Sequence, residues 1–244
     1  MVKTLSLNQL INVLTVKGVY DMKIAVSWSG GKDSAFALYL AKQQGHEVVN
    51  LLTMMVSAEK SVFHLIRSAI LDAQADAMGI HMIKKEVSNE TYEDAFKKVL
   101  AELNAQGVEG LVTGDICEVA GHEDGWLKRV CCEMGLKPIR PLWLGDTKQI
   151  FLDYINAGFK ATVVRTNLNK LGVEWLGRVL DRSFYDEILK LDNVDPCGER
   201  GEYHTIVTDG PCFKKKIEII EAQKHKLDNN FGYLEIKEFV VKHK

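Results

Sequence analysis

SWSGGKDS, Ser27 to Ser34, follows directly on the apolar run Lys23-Ile-Ala-Val26. Such a run ended by paired glycines reads as a buried strand entering a tight turn. The residues beyond it, Ala35 to Gln43, read as a helix that Gly45 stops. Gly30 and Gly31 let backbone N–H groups come close to an anion. The helix N-terminus favours negative charge. Ser27, Ser29 and Ser34 add hydroxyl donors, and Lys32 adds a cation. Asp33 is the exception, because an acid repels a phosphate. It fits if a divalent cation bridges it to the phosphates, which makes Asp33 the candidate metal ligand. The glycine spacing is too short for the GxxxxGK[ST] phosphate loop.

The same alternation continues on the C-terminal side. Glu47–Thr53 is a second apolar strand, Ser61–Met78 has helical spacing, and Ile80–Val87 is a third strand. Tyr92–Gln106 reads as an amphipathic helix and Val108–Thr113 as a fourth strand, followed by Gly114 and Asp115. A helix near Gly125–Met134 and a strand near Lys137–Arg140 complete the pattern. The expected fold is α/β, a parallel sheet with helices on both faces. Right-handed crossovers gather the loops after the strands along one edge, where ligands bind.

Asp146–Ala157 reads as a further helix, Phe159–Val164 as a strand and Ser183–Leu191 as a helix. Ile206–Thr208 and Lys216–Ile220 read as a hairpin about Asp209-Gly-Pro211, and the tail VVKHK as a frayed end. The expected organisation is an N-terminal arm over 1–21, a nucleotide-binding domain over 22–145 and a smaller α+β region over 146–244. The arm carries Leu5, Leu7, Leu10, Ile11, Val13 and Leu14, but Asn8, Gln9 and Asn12 interrupt it and no cleavage site follows. It reads as a short amphipathic helix packed on the body or on a second subunit of a homodimer.

Composition excludes several classes. A net charge of −2 offers no general field for nucleic acid. No apolar run approaches the roughly 20 residues of a membrane span. The five cysteines form no CxxC pair and no Cys/His cluster, which argues against zinc and a disulfide framework and for a reducing cytoplasm.

SGGKDS resembles the pyrophosphate-binding loop of the N-type ATP pyrophosphatase superfamily, whose members cleave ATP between the α and β phosphates. "MKIAVSWSGGKDSAFALYLA" and "DPCGERGEYHTIVTDGPCF" resemble the two signature segments of the diphthine–ammonia ligase family. VTGDI, PLW at Pro141–Trp143 and WLGR at Trp175–Arg178 match in order between them. The resemblance runs from Met22 to about Ile219. It implies ATP and Mg2+, an acceptor carboxylate that is adenylylated, ammonia as nitrogen donor, and diphthine on translation elongation factor as acceptor. It also implies that Leu51, Leu52, Thr53 and Met54 meet the adenine through backbone atoms.

One segment departs from the family pattern. Gly198-Glu-Arg-Gly-Glu-Tyr-His-Thr205 stands where the diphthamide-forming branch has GEGGE(F/Y)ET. Arg200 replaces a glycine and His204 an acid, which resembles a sister branch linked to cobalamin salvage and implies a small carboxylate acceptor. Glu199 and Glu202 suit a cationic acceptor, ammonium or magnesium; the alternative is a polar turn with its own internal hydrogen bonds. His204 suits a base or an acceptor-orienting donor, with Thr205 beside it. Lys32, Asp33, Glu199, Glu202 and His204 are thus the candidate catalytic set.

Asp115 sits after a strand and either completes the nucleotide site or caps a helix. His64 and Arg67 lie one helical turn apart and either reach the ligand or face solvent. Two other classes remain at this stage: sulfur transfer to tRNA, and a nucleotide-binding regulator without chemistry. Lys32 and Asp33 argue against the regulator.

Overall fold

Strand β1, Lys23–Ser27, alternates Ile24 and Val26 toward one face of its sheet with Ala25 toward the other. All three are fully buried, so both faces are covered. The computed structural model describes residues 21–57, 60–61, 67–88, 91–118, 125–226 and 230–244. The expected arm over 1–21 therefore lies, but for Asp21, outside the described residues. Helix α1, Lys32–Gln43, follows β1 through the glycine turn. β2 spans Glu47–Ser57 and β3 is the short Lys60–Ser61. Helix α2 spans Ser68–Met78, β4 His81–Glu86, α3 Tyr92–Ala105 and β5 Gly110–Val112. Helix α4 spans Trp126–Glu133 and β6 Lys137–Ile139.

Strands β4, β2, β1, β5 and β6 lie side by side in that order and are parallel. The short β3 pairs antiparallel with the end of β2. Chain progression reverses between β1 and β5, so a crevice opens at the C-terminal ends of these two strands. The glycine turn after β1 and the Thr113–Asp115 turn after β5 meet there. Helices α3 and α4 cover one face of the sheet through Phe96, Leu100, Leu103, Leu127 and Val130. Helices α1 and α2 cover the other through Phe36, Leu38, Ile70, Leu71 and Ala77.

That second core continues without a break into an antiparallel sheet. Helix α5, Thr147–Asn156, leads to β7, Lys160–Asn167, and helix α6, Arg182–Ile188, precedes β8, Tyr203–Asp209. β9, Lys215–Lys226, and β10, Phe231–His243, complete the order β8-β7-β10-β9. Two expectations are corrected here. β8 and β9 are not a hairpin pair but opposite edges of the sheet. The free edge of β8 is taken up by the glycine turn, since Val207 N–H donates to the Gly30 carbonyl at 2.9 Å. The tail VVKHK is not frayed through Val240–His243, which pair in register with Lys215–Glu218 of β9. Among the described residues no helix is long and apolar enough to cross a membrane.

Candidate active site

The glycine turn is held from three sides. Gly30 takes φ +79°, and a Cβ there would lie 2.8 Å from Leu71 Cδ2 and 2.9 Å from Gln74 Oε1, so only glycine fits. Gly31 is the N-cap of α1 and has no side chain to cap it. Thr205 of β8 serves instead, its Oγ1 accepting from the Lys32 N–H at 3.0 Å. Ser34 Oγ donates to the Gly31 carbonyl at 3.0 Å and lies 3.1 Å from Ser29 Oγ. Gly31 N–H donates to Ser29 Oγ at 3.3 Å. Across the crevice Gly114 packs so tightly that a Cβ would meet the Asp33 carbonyl carbon at 2.5 Å. That contact brings the two loops together and sets Asp115 toward Asp33.

The charges converge on Asp33. Lys32 Nζ bonds both of its oxygens, at 2.8 and 2.7 Å. Burial pulls the Lys32 ammonium down, but Asp33 and then Cys197 and Glu199 more than offset it, and Lys32 stays charged. Burial, then Asp33, pushes the Glu199 carboxyl up to about 7 despite the opposing Lys32. Burial is also the main cause of the raised Asp115 carboxyl; Asp33 and Glu118 add to it, while the Thr113 hydroxyl bond at 2.7 Å and Arg140 oppose it. The site is a crevice of half-buried acids around a single lysine of the glycine turn, and one of those acids is pushed up to about 7.

The long-range segment divides. Glu199 faces the loop and accepts a thiol contact from Cys117 at 3.8 Å. Glu202 does not reach the crevice, contrary to its expected role at the acceptor. Its side chain is 0% exposed and its carboxylate accepts from Lys170 Nζ at 3.0 Å, Asp195 N–H at 3.1 Å and Arg200 N–H at 2.9 Å. It is the internal tie of the 195–202 turn, because three donors satisfy both oxygens of a carboxylate that no water reaches. Thr205 likewise spends its hydroxyl on the loop. His204 alternates with Tyr203 and Thr205 along β8 and registers with Arg165 of β7. Burial, then Arg165 and Lys32, holds its ring down to about 4, so it is neutral at physiological pH and a weak base.

Other expected residues serve the frame. The Leu52 carbonyl accepts from Trp28 N–H at 2.8 Å, and Thr53 Oγ1 donates to the Trp28 carbonyl at 2.6 Å. Met54 is buried in the α3/α4 core. Ser27 ends β1 opposite Leu52. Arg67 departs from expectation: its guanidinium donates to the Ile236 carbonyl of β10 at 2.8 Å and anchors α2 to the second sheet. His64 lies outside the described residues.

Three residues escape the sequence reading. Cys197 is buried beside Lys32, with Sγ 3.1 Å from the Thr147 carbonyl. Tyr154 stands over a cavity of about 10 Å³ lined also by Lys32, Asp33 and Cys197. Its buried hydroxyl has no hydrogen-bond partner among the described residues. Gln74 is the third. Its position after Ile70 and Leu71 and before Ala77 puts a polar side chain on an apolar helix face, which is the signal that could have found it.

Comparison with known proteins now bears on this geometry. Residues 22–138 match the family model described as the diphthamide synthase N-terminal domain, and residues 146–241 match the C-terminal domain. The chain is 26% identical over 242 residues to a diphthine–ammonia ligase of Schizosaccharomyces pombe, covering 88% of this chain and 39% of that protein's length. It is 25% identical over 236 residues to the diphthine–ammonia ligase of Mus musculus, covering 85% and 87%. A tRNA-specific 2-thiouridylase MnmA of Vibrio vulnificus is 36% identical over 86 residues, covering 34% of this chain and 23% of its own. A solved structure titled as a predicted subunit of tRNA methyltransferase from Methanocaldococcus jannaschii aligns with TM-score 0.44 at 17% identity, covering 78% and 98%.

Proposed function

The chain belongs to the diphthamide synthase family, and from that premise we propose that it is an AMP-forming ligase that amidates a carboxylate with ammonia. The acceptor that the family relatives' names favour is diphthine on a translation elongation factor. In the first step an acceptor carboxylate oxygen attacks the α-phosphorus of ATP, and the α–β bridging oxygen leaves with pyrophosphate. In the second, the ammonia nitrogen attacks the acyl carbon, AMP leaves, and one proton is released. The observation that carries the reading is the anion-accepting turn at the N-terminus of α1, with Lys32 beside it and Asp33 facing Asp115 and Glu199.

Each residue has a chemical task. Gly31 N–H, Ser29, Ser34 and Lys32 cradle the phosphates. Magnesium fits through one carboxylate plus substrate phosphates and water. Among the described residues no group of three or more His, Cys, Asp or Glu forms a metal cage, whereas Asp33 stands at the loop. When bound, the ion would neutralise phosphate charge. A bound phosphate would compete with Asp33 for Lys32, and Asp33 would then hold the metal. Glu199, poised at about 7, takes the proton from ammonium. The desolvation of Asp115 and Glu199 suits a site that keeps water from an acyl-adenylate. A cytoplasmic setting fits the free thiols at Cys117, Cys131, Cys132, Cys197 and Cys212.

A second reading keeps this chemistry and changes the acceptor to a small carboxylate. Arg200 and His204 favour it, because they alter the segment beside Glu199. The test is one assay with resolved products. ATP, ammonium and magnesium, with diphthine-bearing elongation factor, should yield AMP, pyrophosphate and the amide. ADP with orthophosphate would overturn the ATP chemistry. AMP formation stimulated only by small carboxylates would move the acceptor to the second reading.

A further inference from the structure

The Gly30–Gly31 peptide is pinned by one side chain from outside the loop. Gln74, on α2, is 0% exposed. Its Nε2 donates to the Gly30 carbonyl at 2.9 Å and to the Val207 carbonyl of β8 at 2.7 Å. Its Oε1 accepts from the Trp28 indole N–H at 2.9 Å. Its three partners lie on two other elements: Trp28 and Gly30 on the turn after β1, and Val207 on β8 of the second sheet. Val207 N–H completes the ring by donating to the Gly30 carbonyl at 2.9 Å.

We propose that Gln74 is a positioning residue that aims the Gly31 amide at the pyrophosphate part of the nucleotide and locks the phosphate loop to β8. A trans peptide holds its C=O and N–H on opposite sides. Two bonds fix the Gly30 carbonyl toward α2 and β8, so the Gly31 N–H points to the side lined by the Ser29 and Ser34 hydroxyls. A glycine pair can flip this peptide at little cost, because the flip changes ψ of Gly30 and φ of Gly31, and glycine tolerates either sign of φ. The flipped form would turn a carbonyl oxygen toward the phosphates. Gln74 holds the productive orientation, and a buried amide is suited to this because it donates and accepts at once. The contact also makes β8, which carries Thr205, part of the loop's support.

This inference rests on the ATP-cleaving reading, and the experiment separates the two. Gln74→Met keeps the length and apolar packing but removes all three bonds. Gln74→Glu keeps an acceptor for the Trp28 indole and, when ionised, has no donor for the carbonyls. Binding of inorganic pyrophosphate and of AMP is measured by calorimetry on wild type and both variants. Pyrophosphate affinity should fall tenfold or more in each variant while AMP affinity stays within twofold, and the KM for ATP should rise more than kcat falls. Equal loss of pyrophosphate and AMP binding, or no loss in a folded variant, overturns the assignment. A wild-type measurement does not depend on variant folding: the Gly31 amide resonance should move on saturation with inorganic pyrophosphate, and a stationary resonance overturns the proposal. If wild type forms no AMP from ATP, the functional reading fails instead.

Discussion

The glycine turn at Ser27–Ser34 and the distant segment at Asp195–Thr205 form the two walls of one crevice, yet they are built in opposite ways. In the loop, the arrangement is local. Each of Gly30, Gly31, Lys32 and Ser34 acts within a few residues of its neighbours, and the surrounding fold only clamps them. In the distant segment, consecutive residues face different ways. Glu199 meets the loop, Glu202 turns inward to Lys170, His204 lies beside Arg165, and Thr205 returns to the Lys32 amide. A turn followed by a strand sends neighbours to different environments. Residue type alone therefore does not tell which members of the distant wall face the crevice, whereas the expected residues of the near wall stand together on one turn.

The sharpest way to break this contrast is at the loop. Lys32→Ala should lower AMP and pyrophosphate release by about 100-fold, the usual scale for losing a preorganised charge at a reacting centre. Asp33→Asn should lower it less and raise the magnesium concentration needed for half-maximal rate. Circular dichroism should show both variants folded. Wild-type turnover with limiting magnesium would remove the loop from the chemistry.

Glu202 should respond in stability rather than in acceptor use. Glu202→Ala strands Lys170 and the Asp195 and Arg200 amides, which costs about 1–3 kcal/mol for unsatisfied polar groups and is read as a lower urea midpoint. Loss of acceptor-stimulated turnover at unchanged stability would return Glu202 to the crevice.

Glu199 comes next in size. Its folded carboxyl sits near 7 against an ordinary 4.5, so the deprotonated form rises as pH passes through 7. The ammonia step should climb over that range, and Glu199→Gln should flatten the climb and cost about 100-fold at pH 8, the lower end of the range for a positioned general base. The linkage has the matching sign. A carboxyl raised on folding binds its proton more tightly when folded, so stability falls as pH rises from 4.5 through 7. The glutamine variant should lack that fall in its thermal midpoint. An unchanged pH profile would leave Glu199 as a spectator.

Much of the fold is legible in the sequence for a physical reason. Period-2 and period-3.6 apolar patterns mark β1, α1, β4 and α3 within a few residues of their observed ends, because burial imposes those periods locally. Strand pairing is not local. β8 and β9 look like hairpin partners until the phosphate loop is seen to occupy the outer edge of β8. Cys197 and Tyr154 reach the crevice only through tertiary packing, and neither belongs to a spacing pattern. The partner of Arg67 is hidden for the same reason, since the Ile236 carbonyl of β10 lies far along the chain.

The smallest expected effect separates the two walls most cleanly. Thr205 belongs by sequence to the distant segment but by contact to the loop, where its hydroxyl accepts the Lys32 N–H at 3.0 Å. Thr205→Val keeps a β-branched side chain in β8 and removes that acceptor, which costs about 1 kcal/mol of stability. The N-terminus of α1 loses its cap from β8, so the KM for ATP should rise by about threefold, while the dependence on acceptor and ammonium stays as in wild type. Thr205→Ser, which restores the oxygen without the methyl group, should recover the KM. The opposite pattern is equally readable. If Thr205 instead touched the acceptor, the valine variant would keep its stability and its KM for ATP and lose acceptor-stimulated turnover. Measuring the two KM values with the melting midpoint on one set of variants therefore decides whether β8 serves as the back of the phosphate loop or as part of the acceptor site.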